Sequence, residues 1–189
     1  MNEIKSKWRL FVLSHSTPHW YAIRVKSNRE RVTADALRAR DLEVLLPTQL
    51  DSRTRKPSLM TPLFPGYLFC RFDAHVRLPV LTVPGVVHIV GLGNVPLPID
   101  PVEIAGVKAM IQSPLEVTPY PYPPLGRSVE IQAGPLRGVE GVVIAHKGED
   151  KMVVSITLLQ RSIAVALDRE WVTLTPTNDQ RQIENVRVA

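Results

Sequence analysis

The chain has 189 residues, 44% of them hydrophobic and only 6% aromatic, with a formal net charge of +5. That length holds one large domain or two small ones, no apolar run approaches the roughly 20 residues that span a bilayer, and residues 10–13 are too few for a secretory segment. A single cysteine, Cys70, excludes an internal disulfide and a cysteine-based zinc cluster, so a reducing, cytoplasmic setting is expected.

Charge divides the chain. Residues 1–112 hold 15 Lys and Arg against 9 Asp and Glu, whereas residues 113–189 hold 8 against 9. The asymmetry points to two domains, of which only the first suits a polyanion. An ordinary solvated basic surface is the competing reading.

Residues 1–17 are polar and basic and are expected to form a flexible extension. Residues 20–25 read as a strand. Ser27-Asn28-Arg29-Glu30 has the capping-box pattern, in which the Ser27 hydroxyl and the Glu30 carboxylate each satisfy a backbone N–H. It predicts a helix to about Arg40, with Val32, Ala36, Leu37 and Ala39 as the buried stripe. Residues 42–46 return as a strand, 48–62 as a mobile, proline-interrupted loop, and 63–72 as the strongest strand of this half. A short helical segment is expected over 76–83 and a β-branched strand over 86–90. Asp100-Pro101-Val102-Glu103 then supplies an N-cap, a first-turn proline and a capping glutamate for a last helix. The order β-α-β-β-α-β-α over 18–112 predicts a ferredoxin-like sheet with helices on one face.

Pro114, Pro119, Pro121, Pro123 and Pro124 crowd residues 113–124. Prolines at this density are expected to block helix and sheet and impose extended polyproline geometry, spanning up to roughly 35–40 Å at about 3.1 Å per residue. Short strand runs follow at 129–131, 142–144, 152–159, 163–167 and 171–174. Five such strands predict a small barrel over 125–176, because an open sheet of that size buries too little surface; residues 177–189 form a tail. The expected fold class is thus α+β, a ferredoxin-like domain followed by a five-stranded SH3-like β-barrel.

Catalytic patterns are missing. His15, His19, His75, His88 and His146 show no metal-ligand spacing, and the sequence has neither a phosphate-cradling loop nor a nucleophile elbow. Cys70, inside an apolar strand, reads as packing rather than as a nucleophile. No catalytic residue, metal or cofactor is expected.

Three stretches carry a resemblance. Trp20-Tyr21-Ala22-Ile23 precedes a basic helix start; Phe64-Pro65-Gly66-Tyr67-Leu68-Phe69 is followed by Pro84-Gly85-Val86; and residues 129–143 contain Gly134-Pro135-Leu136 and Gly138-Val139-Glu140-Gly141. In that order they resemble two signatures of the N-terminal (NGN) domain and the KOW motif of the NusG family of transcription factors. A KOW motif alone is shared with ribosomal proteins, so a ribosome-associated or free RNA-binding KOW protein is the alternative; the net charge of residues 113–189 disfavours it. The resemblance implies a non-enzymatic monomer that binds the clamp helices of RNA polymerase, suppresses pausing and modulates termination or antitermination. It also implies that the KOW domain recruits Rho or a small-subunit ribosomal protein. The helix start Arg24-Val25-Lys26-Ser27-Asn28-Arg29-Glu30 looks closer to the specialised paralogs of the RfaH and polysaccharide-operon-regulator kind. The refolding of the RfaH KOW domain into a helical hairpin is not expected here, since β-branched, period-two segments favour strands.

Strand alternation puts Tyr67, Phe69 and Arg71 on one face and Leu68, Cys70 and Phe72 on the other. If the second set packs under the helices, Tyr67 and Phe69 lie toward an open face; the opposite reading makes both rings core. The resemblance assigns polymerase binding to Phe64, Tyr67 and Phe69, with Arg24 at a position often apolar or aromatic and Leu92 at the pocket edge. Arg77, with Leu78 and Pro79, falls where the family meets the other side of the channel. Lys26, Arg29 and Arg31 cluster at a helix N-terminus, where cations oppose the dipole by roughly 0.3–1 kcal/mol each. For them the resemblance implies the non-template DNA strand, held by salt-dependent, sequence-blind contacts; plain solvated surface is the other reading. Leu136 sits at a predicted loop tip, and the resemblance makes it a partner contact, extended by Leu158, Leu159 and Arg161. The alternative tucks Leu136 onto its own barrel.

Overall fold

Alternating apolar residues build the first sheet. The computed structural model describes residues 17–50, 60–120, 127–146 and 149–167. Within them β1 (His19–Val25) pairs antiparallel with β5 (Tyr67–Phe72) on one side and β6 (Val86–Ile89) on the other, and β2 (Glu43–Leu45) flanks β5. The sheet order β2-β5-β1-β6 is that of the expected ferredoxin-like arrangement. Tyr21, Ile23 and Val25 of β1 meet Leu68, Cys70 and Phe72 of β5 on one face. There they form a buried cluster with Ala34 and Leu37 of α1 (Glu30–Arg38) and with Val80 and Val83 in and after α2 (Leu78–Leu81). Tyr21 and Phe72 pack ring against ring, tilted by 42° with 4.7 Å between centroids. Burial at this density is what holds so small a sheet together. Arg40 ties the helices, donating from Nη1 to the Pro79 carbonyl at 2.5 Å and the Thr82 hydroxyl at 2.6 Å.

The start of α1 departs from the capping-box reading. The turn at 26–29 is closed by the Arg29 N–H on the Lys26 carbonyl (3.1 Å), with Asn28 at φ 61°. The helix therefore begins at Glu30, with Arg29 as an N-cap whose side chain caps nothing. Glu30 becomes the first helical residue rather than the third, too early to reach back to Ser27. With that start the inward positions are Glu30, Thr33, Ala34 and Leu37, at i, i+3, i+4 and i+7. Val32, expected in the stripe, is 60% exposed, and Ala39 is exposed as well.

The described chain divides into two compact units: residues up to Thr48 with Phe64–Pro101, and Gln49–Leu63 with the residues from Val102 on. The described ends of the loop expected at 48–62 pair as a ribbon of β3 (Thr48–Leu50) and β4 (Met60–Pro62). A second ribbon, β7 (Gly91–Leu92) with β8 (Val95–Pro96), closes the first unit's chain beyond β6.

In the second unit α3 (Pro101–Gln112) begins at its proline as expected. Its Glu103 does not cap its own helix: the carboxylate accepts from the Thr157 N–H (3.2 Å) and hydroxyl (2.6 Å). The sheet has the order β10-β11-β12-β13-β9, formed by β9 (Val117–Tyr120), β10 (Arg127–Glu130), β11 (Glu140–His146), β12 (Glu149–Ile156) and β13 (Arg161–Leu167). One expectation fails here. The proline-rich stretch supplies a strand, because Pro119 sits on the sheet edge opposite Ile163, where a missing N–H disturbs little. The five described strands make one antiparallel sheet in which β9 and β10 are not joined among the described residues; the expected closed barrel counted a strand at 171–174. The strand expected at 171–174, the extension before residue 17 and the tail at 177–189 lie outside the described residues.

Candidate functional site

The turn before β5 lies on the sheet face opposite the cluster that α1 and α2 cover, and hydrogen bonds fix it from several sides. Tyr67 N–H donates to the Phe64 carbonyl at 3.0 Å, with Pro65 and Gly66 between them and Gly66 at φ 79°. Proline second and a left-handed glycine third is the type II turn pattern. The left-handed backbone calls for glycine here, and a Cβ on Gly66 would also push the Arg24 guanidinium aside. The Gly66 carbonyl accepts from the Val25 N–H (3.0 Å) and from Arg24 Nη1 (3.3 Å). The Gly66 N–H donates to Glu30 Oε1 at 2.9 Å.

The register places Arg24 opposite Tyr67, Ala22 opposite Phe69 and Trp20 opposite Arg71. All six project away from the face that α1 and α2 cover, as alternation predicts. The Arg24 guanidinium lies 4.8 Å from the centroid of the Tyr67 ring, within cation–π range. Phe64 and Phe69 meet edge to face, 5.3 Å between centroids at 80°.

Exposure differs from expectation at one of the two rings. Tyr67 is partly exposed, but Phe69 is fully buried, as is Phe64. The Phe64 ring packs edge-on against Phe69, and Trp20 and Ala22 beside it are buried too, whereas Tyr67 lies at the strand start opposite Arg24. The expected open face is thus mostly buried, and its partly exposed portion is the Tyr67–Arg24 edge.

Lys26, Arg29 and Arg31 are all exposed around the start of α1. The described ion pairs, Arg38–Asp35 and Arg71–Glu43, lie elsewhere. Arg77 donates to the Asn94 carbonyl at 2.7 Å, fastening the start of α2 to the tip of the β7–β8 ribbon. Leu92, 77% exposed, projects from that ribbon. The structure thus joins Leu92 to Arg77 through the ribbon.

In the second unit Leu136 is fully buried, not a tip residue. The Gly138 N–H bonds the Ile131 carbonyl (2.7 Å) and Ile131 pairs with Val139 (3.0 Å), which folds the loop back and turns Leu136 inward. Leu158 and Leu159 are partly exposed in the 3-10 turn Thr157–Leu159, and exposed Arg161 opens β13 just after it. These three share one hairpin turn.

Sequence reasoning missed Glu30 as a part of this site. Its spacing matched a local cap, and nothing in the sequence signals a partner 36 residues away. Among the described residues no three His, Cys, Asp or Glu side chains converge as a metal site, and no helix is long and apolar enough to cross a membrane.

Comparison with known proteins bears on this geometry. The family model described as "Transcription termination factor nusG" matches residues 18–108, which contain the turn, the aromatic face and the basic helix start. The "Transcription termination/antitermination protein NusG" of Thermus thermophilus is 28% identical over 176 residues, covering 79% of this chain and 94% of that protein. A solved structure titled "Domain interaction in Thermotoga maritima NusG" is similar with a TM-score of 0.50 at 21% identity, over 82% of this chain and 96% of that one. At that identity the likeness speaks to the fold alone.

Proposed function

We propose that the chain is a NusG-family transcription termination and antitermination factor, without enzymatic activity, that binds RNA polymerase through the aromatic turn of its first unit and modulates elongation. The observation that carries this reading is the braced Phe64–Tyr67 turn, with its Tyr67–Arg24 edge on the face that α1 and α2 leave uncovered. A rigid aromatic edge beside a guanidinium is the composition of an interface hot spot, and the helical tips of the polymerase clamp are the proposed occupant. Phe64 and Phe69 supply the apolar packing behind that edge. Arg77 is proposed to meet the opposite side of the polymerase channel, and Leu92, on the ribbon that Arg77 fastens at Asn94, to border the aromatic pocket. Bridging both sides favours the closed, pause-resistant conformation.

Lys26, Arg29 and Arg31 are proposed to hold the non-template DNA strand by its phosphates. In this reading residues 18–112 form the polymerase-binding NGN domain and residues 125–176 a KOW domain. Leu158, Leu159 and Arg161 at the β12–β13 turn are the proposed contact for Rho or a small-subunit ribosomal protein, with buried Leu136 acting only through packing. The factor is proposed to act in the cytoplasm as a monomer. Pull-down by the full chain tests the choice of partner. Retention of core RNA polymerase, and not of ribosomal subunits, is expected; retention of ribosomal subunits alone contradicts it.

A further inference from the structure

We infer that Glu30 is a positioning residue for polymerase binding, holding the Phe64–Tyr67 turn at the height where Tyr67 and Arg24 form one edge. The inference rests on the polymerase-binding reading above. Glu30 is only 7% exposed, and a carboxylate is costly to take out of water unless its lone pairs are used. Its observed partner is the Gly66 N–H, 2.9 Å from Oε1 and 36 residues away in sequence. That N–H belongs to the third residue of the turn, so it points away from the turn's own Phe64–Tyr67 hydrogen bond and has no local acceptor.

The same peptide region is gripped from its other side. The Gly66 carbonyl takes the Val25 N–H at 3.0 Å and Arg24 Nη1 at 3.3 Å. Gly66 is thereby bonded at both its N–H and its carbonyl to the segment 24–30. One end of that segment carries Arg24, which lies over Tyr67; the other carries Glu30. The Lys26 N–H on the Gly85 carbonyl (2.9 Å) and the Arg29 N–H on the Lys26 carbonyl (3.1 Å) hold the segment itself in place. Removing the carboxylate leaves a buried N–H unpaired and frees the turn to tilt, which separates Tyr67 from Arg24 without touching either residue.

Glu30→Ala and Glu30→Gln in the full chain test this. Gln retains a carbonyl acceptor at the same reach, so it should hold the turn where Ala does not. The first readout needs no polymerase: the Gly66 amide resonance should shift and lose exchange protection in Glu30→Ala and stay near its native position in Glu30→Gln. The second is affinity for core RNA polymerase. Glu30→Ala is expected to weaken it roughly tenfold, Glu30→Gln to lie within about twofold of the native chain, and Glu30→Ala to add little on top of Tyr67→Ala, the non-additivity of residues acting through one contact. Native affinity in Glu30→Ala alongside weakened Tyr67→Ala overturns the inference, as does equal weakness of Glu30→Gln or full additivity. If Tyr67→Ala itself binds normally, the polymerase reading fails, while the Gly66 resonance still reports whether Glu30 braces the turn.

Discussion

Replacing Gly66 with alanine puts the braced turn under a load that can be worked out. At φ 79° the backbone is in the left-handed region, which costs a residue with a Cβ about 1–2 kcal/mol. The new methyl would overlap Arg24 Nη1 and stand 3.0 Å from its Cζ, so the guanidinium must leave. Its departure removes the contact over Tyr67, worth about 0.5–1 kcal/mol at an accessible site. The long 3.3 Å hydrogen bond to Gly66 adds little. Together the loss is about 1.5–3 kcal/mol, a urea midpoint shift on the order of 1 M at a typical m of about 2 kcal/mol/M. Gly93→Ala is the control: its φ is 59°, but nothing lies within 4 Å of the added Cβ, so it carries the backbone cost alone. Equal destabilisation by the two variants would refute the claim that Arg24 is packed against the turn.

Three other expectations follow from the same geometry. Lys26→Ala, Arg29→Ala and Arg31→Ala combined should flatten the log–log salt dependence of elongation-complex binding by about 2, at roughly 0.7 per single-strand phosphate; an unchanged slope assigns these residues to solvent. Leu136→Ala should destabilise the chain by about 2–5 kcal/mol, the cost of emptying a core position, whereas a loss below about 0.5 kcal/mol would return Leu136 to the surface. The Cys70 thiol is pushed up from 9.0 to about 12, by burial first and by Glu43 second. Between those values the unfolded chain sheds a proton that the folded chain keeps, so stability should fall as pH rises from about 9 toward 12. Urea midpoints across that window should decline less steeply in Cys70→Ala than in the native chain; identical slopes would contradict the assignment.

Much of the first unit is legible in the sequence because its strands bury one face each. The alternation in 67–72 separates Leu68, Cys70 and Phe72 from Tyr67, Phe69 and Arg71 whatever the exact ends of the strand. Less is legible where a residue's partner is remote. Glu30 matches a local cap in pattern, yet its hydrogen bond goes to Gly66, and the shift in helix start moves Val32 out of the core. Alternation places Phe69 on the correct face but not at the correct depth, since burial depends on what packs over that face, here the Phe64 ring. The proline density around Pro119 argues against a strand, although an edge position asks for no N–H there. Leu136 reads as a tip because two glycines flank it, whereas the Gly138–Ile131 hydrogen bond folds that tip inward.

The most direct measurement compares the full chain with its Tyr67→Ala variant for affinity to core RNA polymerase, using intact enzyme and enzyme lacking the tip of the clamp helices. On the intact enzyme the substitution should cost roughly tenfold or more, as for an interface anchor; on the truncated enzyme the two chains should bind alike. A Tyr67→Ala chain that binds intact polymerase with native affinity, or loses the same factor on both enzymes, would contradict the aromatic turn as the polymerase contact.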